Sequence, residues 1–377
     1  MQYLLAVTLF FGVMIFLHEL GHFVTARATG MKVSEFFVGF GPRLWSFRRG
    51  ETEYGIKWLP LGGYVRIVGM TSLDEVDPED EDRTYRSKSL PAKLLVVSAG
   101  SLVHFTLAFI AAFVLLVAAG RVTGVLPVPS EIVDGSAAEA AGLEVGDEIV
   151  AVNGSAVDQW EDVTDVVKAS VDEPVELEVM RDGKPVALTA VPSPHPDDPS
   201  MGFLGVAPTL EKEKPGVIAS VGEAARLVPR SMGDAVTSIT DIFSPSGLWR
   251  QASLTADAVS GTAEEDDPAN AQRPISPVGV ARVGAQALDS GWEDFLALWF
   301  GFNIFVGVFN LVPLLPFDGG HIAIAIYESI ASRIRGRKVT VDVVKLMPIT
   351  VGVVSMLGLL LISAFLLDVY NPIQDPF

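Results

Sequence analysis

Two histidines and a glutamate carry the densest chemistry in the chain, in the run His18-Glu19-Leu20-Gly21-His22. Side chains four residues apart on a helix project from one face, so the two imidazoles can share one metal ion while Glu19 stands beside them as a carboxylate base. The chain has no cysteine, which removes thiolate ligands and disulfides and leaves His and oxygen donors to hold a metal. The motif also sits in an apolar run, with no charged residue from Tyr3 to Leu17. Ionisable groups within or at the edge of a bilayer are costly and as a rule functional. A merely structural pair of membrane histidines would leave Glu19 there without a reason.

A second stretch supplies what the first lacks. Asn310-Leu311-Val312-Pro313-Leu314-Leu315-Pro316-Phe317-Asp318-Gly319-Gly320-His321 breaks an apolar run with two prolines and two glycines, freeing backbone polar groups that protein or a water-filled cavity must satisfy. Asp318 is the natural third ligand to a zinc held by His18 and His22, leaving a fourth position for water. The plainer alternative makes Asp318 a helix cap or ion-pair partner. Of the other histidines, His321 reads as a neighbour of the site, His195 as incidental in an exposed loop, and His104 as a packing residue within an apolar span.

The elements that must position these residues belong to a polytopic α-helical membrane protein. The 377 residues are 49% hydrophobic, enough for a membrane region plus one or two folded domains. A net charge of −19 argues against a nucleic-acid partner. Four segments are long and apolar enough to span: about Tyr3 to Ala28, Leu94 to Ala119, Phe295 to Leu315 and Leu346 to Leu367. No Lys or Arg precedes the first and no small-residue cleavage pattern follows it, so it reads as a retained helix rather than a signal peptide. Basic residues crowd the loops 30–93 and 322–345, whereas 28 acidic residues face 11 basic ones between Arg121 and Gly291. The expected topology therefore puts both basic loops in the cytoplasm and both termini outside. The division that results is 1–29, 94–120, 293–321 and 346–377 for the spans with their flanks, 30–93 and 322–345 for the cytoplasmic loops, and 121–208 and 209–292 for the extracytoplasmic parts. The acidic Asp74 to Asp82 run reads as a solvated linker.

Within 30–93, Phe36 to Arg49 and Glu53 to Val68 are rich in aromatic and β-branched residues, with glycine punctuation at Gly62-Gly63. They read as two short hairpins at the membrane surface, with Arg43 and Trp45 suited to the interface. An exposed strand edge at Gly62, Gly63 and Tyr64 could pair with an extended peptide and present it to the metal; a hairpin that only packs under the helices fits the sequence equally. Beyond the second span, short strands alternate with two short helices, with turns at Asn153-Gly154 and Asp182-Gly183. The run from Gly135 to Gly154 resembles a bacterial PDZ domain. That resemblance implies a peptide-terminus loop at Gly202, Phe203, Leu204 and Gly205. Residues 217–243 have apolar residues at helical spacing and read as amphipathic helices; Glu264 to Pro274 reads as a flexible loop, and Ser276 to Val280 as a turn into the third span.

Taken together, His18 to His22, Gly39-Phe40-Gly41-Pro42, Gly62 to Arg66, the single PDZ-like domain, Ser276 to Gly279 and Asn310 to His321 resemble the site-2 protease family of intramembrane zinc metalloproteases, of the bacterial type that regulates sigma factors. The resemblance implies an inserted extracytoplasmic PDZ-like α+β domain and a membrane-associated β-hairpin region on four transmembrane helices in the bacterial plasma membrane. It assigns one Zn2+ to His18, His22 and Asp318, base chemistry to Glu19, and substrate or oxyanion support to Asn310. Its implied partners are single-pass membrane proteins of the anti-sigma-factor or signal-peptide-remnant kind, cut after a first extracytoplasmic cleavage, with peptide termini received by the PDZ-like domain. The chain departs from the family pattern at Ala99-Gly100-Ser101-Leu102-Val103-His104, where relatives have Pro at the third position and Asn at the sixth; loss of the Pro could straighten the helix, and His104 could take over the polar contact of the Asn. Two other classes use some of the same features: a PDZ-bearing membrane adaptor without catalysis, and a metal transporter with the same ligands.

Overall fold

The computed structural model describes residues 2–70, 75–195, 198–263, 270 and 273–373, without the side chains of 2–10, 60 and 61. Asp74 of the acidic run and most of the Glu264–Pro274 loop lie outside the described residues. The chain divides into two compact units, one made of Met1–Leu115 with Ser220–Phe377 and the other of Leu116–Ala219.

The first unit opens with helix α1 (Gln2–Ala28), which carries the His-Glu-His run near its end. Strands β1 (Val33–Arg49) and β2 (Thr52–Ile67) follow, joined at Gly50-Glu51. These are not two separate hairpins. Phe36 pairs with both Val65 and Tyr54, and Tyr54 pairs with both Phe36 and Phe47, so each long strand doubles over and four ladder segments lie side by side, 43–49, 52–57, 33–38 and 63–67. The outer segments are 43–49, which exposes Leu44 and Trp45, and 63–67. Met31, Val33 and Ile67 bury themselves with Ala26 of α1, Tyr85, and Val96 and Val97 of helix α2 (Leu90–Ala118). That cluster fixes the sheet to both helices.

The second unit contains β3 (Arg121–Ile132), α3 (Ala137–Ala140), β4 (Glu148–Val152), β5 (Ser155–Ala156), α4 (Trp160–Ala169), β6 (Val175–Arg181), β7 (Lys184–Ala190), β8 (Ser193–Pro194), β9 (Gly202–Phe203) and β10 (Val206–Glu213). Antiparallel strands form a four-stranded sheet in the order β5-β4-β6-β7, while β10 pairs with β3 and β8 with β9. Alternation explains β6: Val175, Leu177 and Val179 are fully buried with Ile149, Val163 and Leu204, while Glu176 and Glu178 face out. Arg181 closes one end, donating from Nε and Nη2 to the two Asp147 carboxylate oxygens at 2.8 and 2.6 Å. Those bonds hold the Asp147 carboxyl below its ordinary range.

The first unit resumes with α5 (Val217–Ile242), α6 (Pro245–Ser260), α7 (Pro277–Ser290), α8 (Trp292–Phe309), α9 (Asp318–Arg335) and α10 (Met347–Tyr370). Among the described residues three helical stretches are long and apolar enough to cross a membrane: Leu90–Ala118, Trp292–Phe309 and Val343–Tyr370. The third apolar run ends as helix at Phe309, six residues before Leu315, because Pro313 and Pro316 cannot continue the ladder. Ser276 begins a helix rather than a plain turn: its hydroxyl caps α7, accepting from the Gly279 amide at 3.3 Å. Helix α7 packs against α1, α8 and α10. Its leading end is tied to Asp368 of α10, whose carboxylate accepts from the Ser276 amide at 2.7 Å and from the buried Arg273 guanidinium at 3.3 Å, while Arg282 donates to the Asp368 carbonyl at 3.0 Å.

Candidate metal centre

The lone pairs of three side chains converge. His18 Nε2 lies 3.2 Å from His22 Nε2, and Asp318 Oδ2 lies 3.6 Å from the first and 3.3 Å from the second. Ligand atoms about 2.0–2.1 Å from a tetrahedral zinc stand about 3.4 Å apart, close to the spacing here. His22 is held for that role, because its Nδ1–H donates to the Val96 carbonyl at 2.8 Å and leaves the Nε2 lone pair free. Asp318 Oδ2 is buried with no hydrogen-bond donor, an expense that a cation would remove. The donor set of three protein ligands thus fits zinc. Among the described residues no other group of three or more His, Cys, Asp or Glu side chains could hold a metal.

The broken segment after α8 delivers Asp318. Its freed backbone groups are satisfied locally: Phe317 N donates to Leu314 O at 3.0 Å, Gly320 N to Phe317 O at 3.0 Å and Gly319 N to Asn310 O at 2.8 Å. Through that last bond the Asn310 backbone pins the end of α8 to the start of α9. An acidic first residue also suits the N-terminus of α9. On the other side, segment 63–67 runs against α1. A Cβ on Gly63 would lie 2.9 Å from Cγ of Glu19, so only glycine leaves the carboxylate its place, and the Val65 backbone reaches that carboxylate. Tyr64 points elsewhere, donating to Glu35 at 2.5 Å and stacking on Phe37.

Three residues beside the centre were not identified as such from the sequence. Gly100 of α2 makes the cradle for His18, where a Cβ would lie 2.2 Å from Cε1 of the imidazole. His104, one turn further, is buried with its ring centroid 5.1 Å from that of His18. Its Nδ1 meets the Oδ1 of Asn303, a fully buried residue of α8, at 3.0 Å. A lone Asn inside an apolar span was the available signal. His321, one turn after Asp318, lines a cavity of 180 Å³ with Tyr85, Lys93 and Glu328.

In the second unit, Gly202, Phe203, Leu204 and Gly205 line a cavity of 180 Å³ opposite Val163, Thr164 and Val167 of α4. His195 lines it too, edge-on to Phe203 at 5.1 Å, and so is not incidental to this groove.

The sequence matches peptidase family M50 over residues 6–357. It is 32% identical to the zinc metalloprotease Rip1 of Mycolicibacterium smegmatis over 399 residues, 95% of each chain, and 32% identical to Rip1 of Mycobacterium tuberculosis with the same coverage. Against the zinc metalloprotease RasP of Shouchella clausii it is 29% identical over the full length of both.

Proposed function

The chain belongs to peptidase family M50, the site-2 proteases, and is a zinc metalloprotease; from that premise we propose that it cuts the transmembrane segment of single-pass membrane proteins at a zinc held by His18, His22 and Asp318. The observation that carries the assignment is the approach of those three ligand atoms to 3.2–3.6 Å with Asp318 Oδ2 left unbonded. Zinc held there by His18, His22 and Asp318 would supply Lewis acidity for the scissile carbonyl and the attacking water.

The chain's own residues do the rest. Glu19 takes the proton of the attacking water on its carboxylate and returns it to the leaving amine. Peptide carbonyls in a helix are hydrogen-bonded and shielded, so the substrate must unwind, and segment 63–67 offers an outer strand edge beside Glu19 on which it can be held extended. The bond between Gly319 N and Asn310 O keeps Asp318 in register while strands load.

We place α1 in the bilayer with the three other spans, the sheet and α9 on the cytoplasmic side of a bacterial plasma membrane, and both termini outside. Basic loops at 30–93 and 322–345 and the acidic 121–291 stretch favour that orientation. The second unit resembles a PDZ domain, and its groove between α4 and 202–206 suits a peptide terminus. It acts as a filter that admits substrates, such as anti-sigma factors or signal-peptide remnants, after a first external cut.

The test uses the full-length protein in membranes with a single-span substrate. Zinc content near one per chain, with cleavage abolished in Glu19→Gln and zinc retained, supports the reading. Absence of zinc, or undiminished zinc in His22→Ala, defeats the ligand assignment.

A further inference from the structure

A histidine that ligates zinc through one nitrogen as a rule donates from the other, and that donor bond fixes both tautomer and ring orientation. His22 has such an acceptor in Val96 O. His18 presents Nε2 to His22 and Asp318, so in its ligating form the proton sits on Nδ1. That Nδ1 is buried and bonded to nothing. The Gly100 backbone comes close enough to the ring to polarise it, but without the distance and angle of a hydrogen bond to Nδ1.

The acceptor on offer comes from α2. Asn303 donates from Nδ2 to the Trp299 carbonyl at 2.9 Å, which turns its Oδ1 to His104 and makes His104 Nδ1 the donor of their 3.0 Å bond. The proton of His104 is thereby assigned to Nδ1, and its Nε2 carries a lone pair. Two imidazoles joined by an N–H···N bond of about 2.9–3.0 Å need centroids about 5.2 Å apart. The His18 and His104 centroids are 5.1 Å apart, tilted by 40°, so the centroid spacing is that of such a bond, although the two rings do not make it as they stand.

We propose that His104 Nε2 accepts the His18 Nδ1–H and so orients His18 toward zinc, the Asn303–His104–His18 chain being a relay of orientation that reaches from α8 through α2 to α1. His104 is a positioning residue in this scheme, which rests on the reading of His18 as a metal ligand.

The experiment measures zinc affinity of the full-length protein by chelator competition, with no substrate present. His104→Ala should weaken zinc binding about 10–100-fold, the usual cost of losing such a partner. His104→Gln places an amide oxygen near the Nε2 position and should recover much of the loss. His104→Asn keeps only the side facing Asn303 and should not. Both amide variants keep a polar buried side chain, so the comparison stands even where the alanine variant fails to fold. Affinity unchanged in His104→Asn, or equal losses in the two amide variants, overturns the proposal. A parent chain that binds no zinc overturns the ligand assignment itself and this proposal with it.

Discussion

Glu19 and its neighbour Gly63 separate chemistry from metal binding. Glu19→Gln keeps shape and polarity but removes the base, so cleavage should fall at least about a hundredfold, the scale of lost general-base catalysis, while elemental analysis finds zinc unchanged. Gly63→Ala reaches the same carboxylate from the sheet. Its Cβ would lie 2.9 Å from Glu19 Cγ and 3.1 Å from the Phe37 carbonyl, so the carboxylate must shift, and a misplacement near 1 Å costs on the order of a hundredfold in turnover. Because this loss acts through Glu19, the double variant should turn over no more slowly than Glu19→Gln alone; single-turnover cleavage rates decide it. The convergence of His18, His22 and Asp318 was legible in the sequence because spacing and a proline-glycine break mark them locally. Gly63 and Gly100 were not, since their meaning lies in what a Cβ would strike on another element.

At the level of elements, local turns read well and distant pairings did not. Asn153-Gly154 and Asp182-Gly183 adopt the positive φ that their residue types favour, and β6 and β7 follow from alternation. The merging of two hairpins into one sheet was hidden, because pairing of Phe36 with both Val65 and Tyr54 leaves no periodic trace. Likewise the bond between His104 and Asn303 joins residues 199 apart. The Asp147–Arg181 clasp makes a pH prediction. A carboxyl whose folded pKa lies below its unfolded value, about 3.9, contributes stability that is present above that value and lost as pH falls through the folded one. The second unit should therefore keep its protection down to about pH 4 and lose it below. Asp147→Asn should be less protected already at neutral pH and show a shallower acid dependence, read by hydrogen exchange in β4 and β6.

On the scale of the whole molecule, if the second unit is a filter, removing it should leave the chemistry of the first. Deleting 121–208 should spare zinc binding and the cutting of pre-trimmed stumps, yet let the protease cut untrimmed single-span substrates that the intact chain rejects. A deletion variant that binds zinc and still refuses untrimmed substrates means the second unit is no filter. To separate terminus binding from bulk exclusion, Thr164→Trp fills the groove; Gly205 is a poor choice because a Cβ there would strike Ser136 at 2.3 Å. Terminus recognition predicts slower cutting of trimmed stumps by Thr164→Trp, and bulk exclusion predicts none. The knot of Arg273 with Asp368 carries a consequence in time rather than space. The two residues are 95 positions apart, so at about 5–20 residues per second the ribosome leaves the guanidinium waiting roughly 5–20 s for its carboxylate. Helix α7, which packs on the motif-bearing α1, gains its tie to α10 only once Asp368 has been made. A chain cut off before Asp368 should therefore leave the Arg273 guanidinium without its carboxylate and the start of α7 without its anchor on α10.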